Sequence, residues 1–264
     1  MKNLSLILTA GALLIVPAQA AWAAQHTCSA SNYRANDLVS YAEVREQHLA
    51  PQSTNAIDPG PNGSVAVHGW NNNDILVKAC IQAAAGTDSE ARELASHVAI
   101  TRGPGQIKPD GPSSNSQHHW DLSYEIWVPN QSNLEISANN GSISIETVVG
   151  KIQFRTLNGS VHLAQVGGDV DGTTTNGSLH VDLAGSSWTG RGLNATTTNG
   201  SIQLNVPENY SANVETSTVN GRVHVDFPVK VSGEVGKSLS FQLGSGGATI
   251  QARTTNGGVH ISRT

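Results

Sequence analysis

From residue 130 onward, apolar and polar positions alternate in short runs, and one dipeptide interrupts them each time. Six and four residues before each Asn-Gly stand Leu134/Ile136, Ile152/Phe154, Val170/Gly172, Leu193/Ala195, Val214/Thr216 and Ile250/Ala252. Three and five residues after it stand Ile143/Ile145, Val161/Leu163, Leu179/Val181, Ile202/Leu204, Val223/Val225 and Val259/Ile261. Alternation with period two on both flanks predicts strands with one buried face. The dipeptides are Asn140-Gly141, Asn158-Gly159, Asn176-Gly177, Asn199-Gly200, Asn220-Gly221 and Asn256-Gly257. They are read as sharp bends that draw on positive φ angles. An outlying copy begins at Asn62-Gly63.

From Asn140 the copies lie 18, 18, 23, 21 and 36 residues apart, the last being two periods of 18. Repeats of this length predict an array in which each unit buries its apolar face against the next. The expected fold is all-β: a single-stranded parallel β-solenoid with one short N-terminal capping helix. The rival is an antiparallel meander or sandwich of hairpins, because Asn-Gly is also the strongest short-range hairpin signal. Two features favour the solenoid. The motif repeats in one sense with its Asn in a fixed place, which suits ladders of identical residues. A second bend also follows each strand pair, as at Val149-Gly150, Val166-Gly167-Gly168 and Ala184-Gly185. Each period then closes one coil, with a perimeter of roughly 60 Å.

Before the array the pattern changes. Residues 1–23 have a secretory leader's layout: Lys2, an apolar run from Leu4 to Val16, and small residues at Ala18-Gln19-Ala20 or Ala21-Trp22-Ala23. The apolar run is shorter than the roughly 20 residues a membrane span requires, so no span is expected in the mature chain. Residues 24–61 are polar, carry three prolines, and are expected to be an irregular leader; the solenoid domain is placed at 62–264, with its repeat array at 130–264. Thr87 and Glu90 form a capping-box pair ahead of Ala91, Leu94, Ala95 and Val98, which predicts a helix near 88–97. A loop is expected over 103–117, then a strand through Trp120–Pro129. Cys28 and Cys80 are the two cysteines of the chain, and in an oxidising compartment they are expected to pair. Closing that loop would contribute roughly 3–4 kcal/mol.

Three features together resemble the bacterial "putative adhesin" family of unknown function, a DUF4097-type domain. They are Gly63-Ser64-Val65-x-Val67-x-Gly69-Trp70, then Tyr124-Glu125-Ile126-Trp127-Val128-Pro129, and the Asn-Gly-Ser repeats. The likeness runs over roughly residues 62–264 and implies a β-helical, exported or envelope-associated domain with no established catalytic residues.

Charge and composition narrow the chemistry. The net charge of −5 and the lack of a basic cluster argue against nucleic acid. Aromatics make up 5% of the chain, little for a conventional globular core but compatible with a thin solenoid filled by aliphatic residues. The fourth position after each Asn holds Ser144, His162, His180, Gln203, His224 and His260. In a solenoid His162 and His180 would stack on neighbouring coils, as a metal-binding or pH-sensing row. Gln203 interrupts that row and no fixed carboxylate partner is evident, which favours a plain solvated face; no cofactor is expected. Glu146, Asp169, Asp171, Asp182 and Asp226 are scattered rather than paired, so a carbohydrate-active enzyme is only an alternative. Trp188 and Tyr210 lie in the longer repeats and are candidate contact residues. Ile261-Ser262-Arg263-Thr264 would leave an open strand edge, able to pair with another chain or to be covered by residues 233–247. The expected role is a non-enzymatic, exported scaffold in the periplasm, at the cell surface or secreted, that contacts a glycan, peptide or envelope protein.

Overall fold

The computed structural model describes residues 28–33, 37–103, 105–232 and 236–264. The expected secretory leader at 1–23 lies outside them. The strands form two sheets, one of ten and one of eleven. Each Asn-Gly carries the chain from the eleven-stranded sheet into the other: Val149–Asn158 lies in the first and Val161–Ala164 in the second. Successive coils stack parallel and in register, with Ile152 opposite Val170, Asn158 opposite Asn176 and His162 opposite His180. The two flanks of a bend therefore never pair with each other, and the fold is a β-solenoid rather than a row of hairpins.

The bends are held by three stacked ladders. Asn220 donates through its side-chain amide to Asn256, Asn256 to Asn199, Asn199 to Asn176, Asn176 to Asn158, Asn158 to Asn140 and Asn140 to Asn62, at 2.7–2.9 Å. Beneath them the buried hydroxyls of Thr156, Thr174, Thr197, Thr254 and Thr218 donate to the carbonyls of Gly141, Gly159, Gly177, Gly200 and Gly257 on the adjoining coil, at 2.8–2.9 Å. Those carbonyls are otherwise turned into the corner, where an unmet acceptor would be costly. The third ladder is the glycines, and here the expectation needs correcting. Gly141, Gly159, Gly177, Gly200 and Gly221 are not in the left-handed region. They are glycine because the next coil's backbone passes where a side chain would stand. Positive φ occurs instead at the opposite corner, at Thr147 and Gln165.

Between the sheets lies a narrow core of Ile, Leu, Val and Ala. Phe154 enters it because Gly172 stands opposite on the next coil: a methyl there would meet the ring at 2.4 Å.

The ends depart from the sequence reading. Spatial order does not follow chain order. Val259–Arg263 lies between Ile202–Val206 and Val223–Val225, parallel to both. Thr249–Asn256 likewise separates Gly192–Asn199 from Ala212–Asn220. The interval of 36 is thus not two periods. It is an excursion that returns to insert a coil. The strand at 259–263 is doubly paired, so it is not the open edge expected; Val223–Val225 stands at that end of the sheet instead. Ser238–Leu243, from the irregular segment, pairs antiparallel with Ala212–Ser217, and Val231–Ser232 pairs outside it at the end of the other sheet.

At the opposite end, Val65–Trp70 stacks directly on Ile143–Glu146, and His119–Pro129 stacks outside it. Ile75–Ala85 and then Val39–Leu49 extend that sheet antiparallel. The leader is therefore not irregular: Val39–Leu49 is an eleven-residue edge strand and Asn55–Ile57 a short one. Nor is 103–117 all loop, since Ala99–Gly103 and Gln106–Asp110 pair antiparallel. The helix forms as expected, Asp88–Ser96, with the Thr87 hydroxyl accepting from the Glu90 amide. Its buried Ala91, Leu94 and Ala95 cover the end of the core. Cys28 and Cys80 are disulfide-bonded, tying the start of the described chain to Ile75–Ala85.

Candidate functional site

Residues two apart on a strand point to the same face, so the fourth and sixth positions after each Asn make two outward rows on the ten-stranded sheet. Read across the coils in space, the first row is Ala66, Ser144, His162, His180, Gln203, His260 and His224. The second begins His68, Glu146, Ala164, Asp182, Asn205 and Ser262. Asp226 stands at the sixth position of the 220 copy. The rows interlock. Asp182 takes His162 Nε2 on one carboxylate oxygen at 2.8 Å and His180 Nε2 on the other at 3.0 Å. Ala164, between Glu146 and Asp182, is small enough to leave that diagonal open. Asn205 donates to Asp182 at 2.6 Å, and Ser262 donates to the Asn205 oxygen at 2.7 Å.

The same constellation is built a second time. Asp226 takes His260 Nε2 at 2.6 Å and His224 Nε2 at 2.9 Å. Ring pairs in the two sets meet edge to face, with centroids 5.0 and 5.4 Å apart. Each set is one His-x-Asp strand plus a histidine from the neighbouring coil, laid in the same sense along the solenoid. The first set is the more enclosed, since His162 is buried while His224 and His260 are exposed. His162, His180 and Asp182 each offer a donor atom within 4.8 Å of the others, the one such group among the described residues. The fixed carboxylate that the sequence reading found lacking is therefore present in both sets.

Electrostatics follow from this geometry. Burial works to raise the Asp182 carboxyl, but hydrogen bonds from His162, His180 and Asn205 hold it well below the usual carboxylate range. His180 is raised by its bond to Asp182, and Asp226 is lowered chiefly by His260. One coil group further along, His68 lies between Glu125 (3.6 Å) and Glu146 (3.4 Å). Burial opposes its charge, yet the two carboxylates prevail and its pKa is pushed up to about 9. Glu146 is correspondingly lowered, first by His68. A folded pKa above the unfolded value near 6.5 contributes stability that is complete below pH 6.5 and lost as pH rises through 9. Urea melts of the parent and His68→Gln should therefore converge by roughly 1–2 kcal/mol between pH 6.5 and 9.5, after allowance for solvent screening. A constant gap across that window would remove His68 from this role.

The contact candidates fare differently. Trp188 and Tyr210 are 7% and 2% exposed, and the Trp188 indole donates to the Gly168 carbonyl at 3.0 Å. The longer repeats fold their aromatics back into the core, so neither presents a ring to a partner. Sequence reasoning missed Asp182 and Asp226 as histidine partners. The signal was there as His-x-Asp at 180–182 and 224–226, at the same repeat position.

A parallel solenoid whose corners are Asn, Thr and Gly ladders defines the class of protein. The chain belongs to the Toastrack DUF4097 family, which residues 92–262 match. Among solved structures it is similar to a "putative cell adhesion protein" from Clostridium sporogenes, at 11% identity and a TM-score of 0.42, covering 85% of this chain and 100% of that one. It is also similar to a "putative adhesin" from Bacteroides fragilis, at 12% identity and a TM-score of 0.37, covering 84% and 97%. A third is a "putative lipid binding protein" from Parabacteroides distasonis, at 9% identity and a TM-score of 0.32, covering 84% and 96%. No match was found among curated proteins.

Proposed function

We propose that this protein is an exported, non-catalytic binding scaffold of the cell envelope whose broad face contacts an extended glycan. One observation carries the reading. The outer face of the eleven-stranded sheet presents hydroxyl and guanidinium groups in register from coil to coil: Thr173 beside Thr196 beside Arg253, with Arg155 on the other side. At the strand spacing of about 4.8 Å, such rows offer regular hydrogen-bonding positions to a polymer lying across the coils. An open groove of about 570 Å³ adjoins them, lined among others by Asp58, Arg155, Leu157 and Thr175, and Leu157 is exposed there. An exposed aliphatic group among polar ones suits the apolar face of a sugar ring or a peptide side chain.

Export is supported by the Cys28–Cys80 bond, since structural disulfides persist in oxidising compartments. The test is a glycan array probed with the purified protein and with Leu157→Arg/Thr175→Arg, followed by product analysis of every retained glycan. The expected result is retention by the parent, at least tenfold weaker in the double variant, with no product. Released oligosaccharide would make the protein an enzyme, and equal retention by both proteins would move the contact elsewhere.

A further inference from the structure

We infer that His162, His180 and Asp182 form a binding site for one divalent transition-metal ion of the zinc class, open to solvent on one side. The argument starts from the donors. Two imidazole nitrogens and one carboxylate are the ligand set that suits zinc, copper or nickel, whereas calcium and magnesium call for oxygen alone. All three sit on paired strands of adjoining coils, in fixed register: His162 lies opposite His180, and Asp182 is two residues further on the same face. Their donor atoms already lie within 4.8 Å of one another. Tetrahedral zinc, with bonds of about 2.0–2.1 Å, needs ligand atoms roughly 3.3 Å apart. Small side-chain rotations supply the difference without moving either strand.

The ring arrangement favours convergence. The His162 and His180 rings meet at 81°, so they are not stacked face to face, and both Nε2 atoms point at the same carboxylate. An ion entering between them would be bound by the two Nε2 lone pairs, each neutral ring carrying its one proton on Nδ1, and the Nε2 contacts to Asp182 would give way to bonds to the metal. The neighbouring coils brace the carboxylate. Asn205 donates to it at 2.6 Å, and Asn205 is itself held by Ser262 at 2.7 Å. Orienting partners of this kind typically contribute 10–100-fold to metal affinity. Glu146 stands within electrostatic reach of His162 and Asp182, adding negative potential. His162 is buried, whereas the side chains of His180 and Asp182 are 40% and 34% exposed. Three protein ligands with one solvent-facing side leave a coordination position for water or for a donor group on a partner.

His260, His224 and Asp226 repeat the pattern but lie more open, with side chains 52%, 71% and 40% exposed. Nothing equivalent to Asn205 is seen bracing Asp226 among the described residues, so this second set is the weaker one.

The test uses untagged protein stripped with EDTA, titrated with zinc chloride by calorimetry and with cobalt(II) by visible absorption. The expected result is one tightly bound zinc per chain and a cobalt spectrum of low coordination number. His162→Gln and His180→Gln should each weaken zinc at least tenfold and abolish the cobalt bands, Asn205→Ala should weaken it less, and His260→Gln should leave the tight site intact. Glutamine is chosen because Gln203 occupies the register position next to His180 on the adjoining coil. If buried His162→Gln does not fold, the part-exposed His180→Gln decides. No zinc bound by the parent overturns the inference. So does unchanged affinity in His180→Gln, or loss of the tight site in His260→Gln.

Discussion

Gly159→Ala is expected to cost more than about 4 kcal/mol and leave little folded protein at 37 °C, although it adds one methyl group. That methyl would lie 2.0 Å from the Gly141 carbonyl oxygen, 2.5 Å from its carbon and 2.9 Å from the Ser142 nitrogen. All three are backbone atoms of the adjoining coil, so none can swing aside. The same clash recurs along the ladder: 1.9 Å at Gly141 against Gly63, 2.0 Å at Gly177 and Gly200, and 1.9 Å at Gly221 against Gly257. Opening the stack by more than 1 Å would break the hydrogen bonds that set strand spacing near 4.8 Å. Gly185→Ala is the informative control. It sits at φ 72° with nothing within 4 Å of the added carbon, so it bears only the left-handed strain of about 1–2 kcal/mol. Thermal and urea melts should separate the two variants widely. If Gly159→Ala melts no lower than Gly185→Ala, the glycines serve conformation rather than close approach, and the stacked corner is wrong.

That contrast shows what could be read from sequence and what could not. Asn-Gly at a fixed place between period-two flanks announced stacked coils, because a ladder needs identical residues and a hairpin does not. The reason for glycine was misassigned. Positive φ and lack of room look alike in a sequence, and only the passage of Gly141 against Gly159 tells them apart. The threonine ladder was equally visible, since Thr156, Thr174, Thr197, Thr218 and Thr254 all stand two residues before an Asn. They pass for ordinary strand threonines until the carbonyl each one meets is known. Val39–Leu49 escaped notice for a different reason. It is an edge strand with polar residues such as Glu43, Arg45 and Gln47, so hydrophobic alternation barely marks it.

The histidine site was half legible. His162 beside His180 follows directly from an 18-residue period, and Asp182 follows from its place two residues after His180. The partnership of His260 with Asp226 did not follow, because an interval of 36 read as two periods places another coil between them. An asparagine ladder accepts coils in any order, since every rung is alike. Chain order was therefore the natural assumption, and the structure breaks it.

Ile261→Ala is expected to destabilise the protein by about 3–4 kcal/mol and to loosen two strands that are 17 residues or more apart in the sequence. Ile261 is fully buried, with Leu204 opposite on one side and Val225 on the other. Truncating it hollows the core beneath Ile202–Val206 and Val223–Val225 at once. Hydrogen exchange should report lost protection in both strands, whereas Val223→Ala, in the outer coil, should affect 223–225 far more than 202–206. If coils stacked in chain order instead, 202–206 would pair with 223–225 directly, and Ile261→Ala would leave 202–206 protected. The interposed coil also governs assembly. Residues 212–225 can take their native place only when 249–263 are present to fill the layer beneath them, as the hydrogen bonds from Asn220 to Asn256 and from Asn256 to Asn199 require. A chain ending at residue 248 should thus keep slow exchange through 134–182 while 219–225, which loses its pairing with 256–261, exchanges freely. Full protection of 219–225 in that shortened chain would mean that this coil can dock directly on 192–206, and the inserted layer would then be a late addition rather than a requirement.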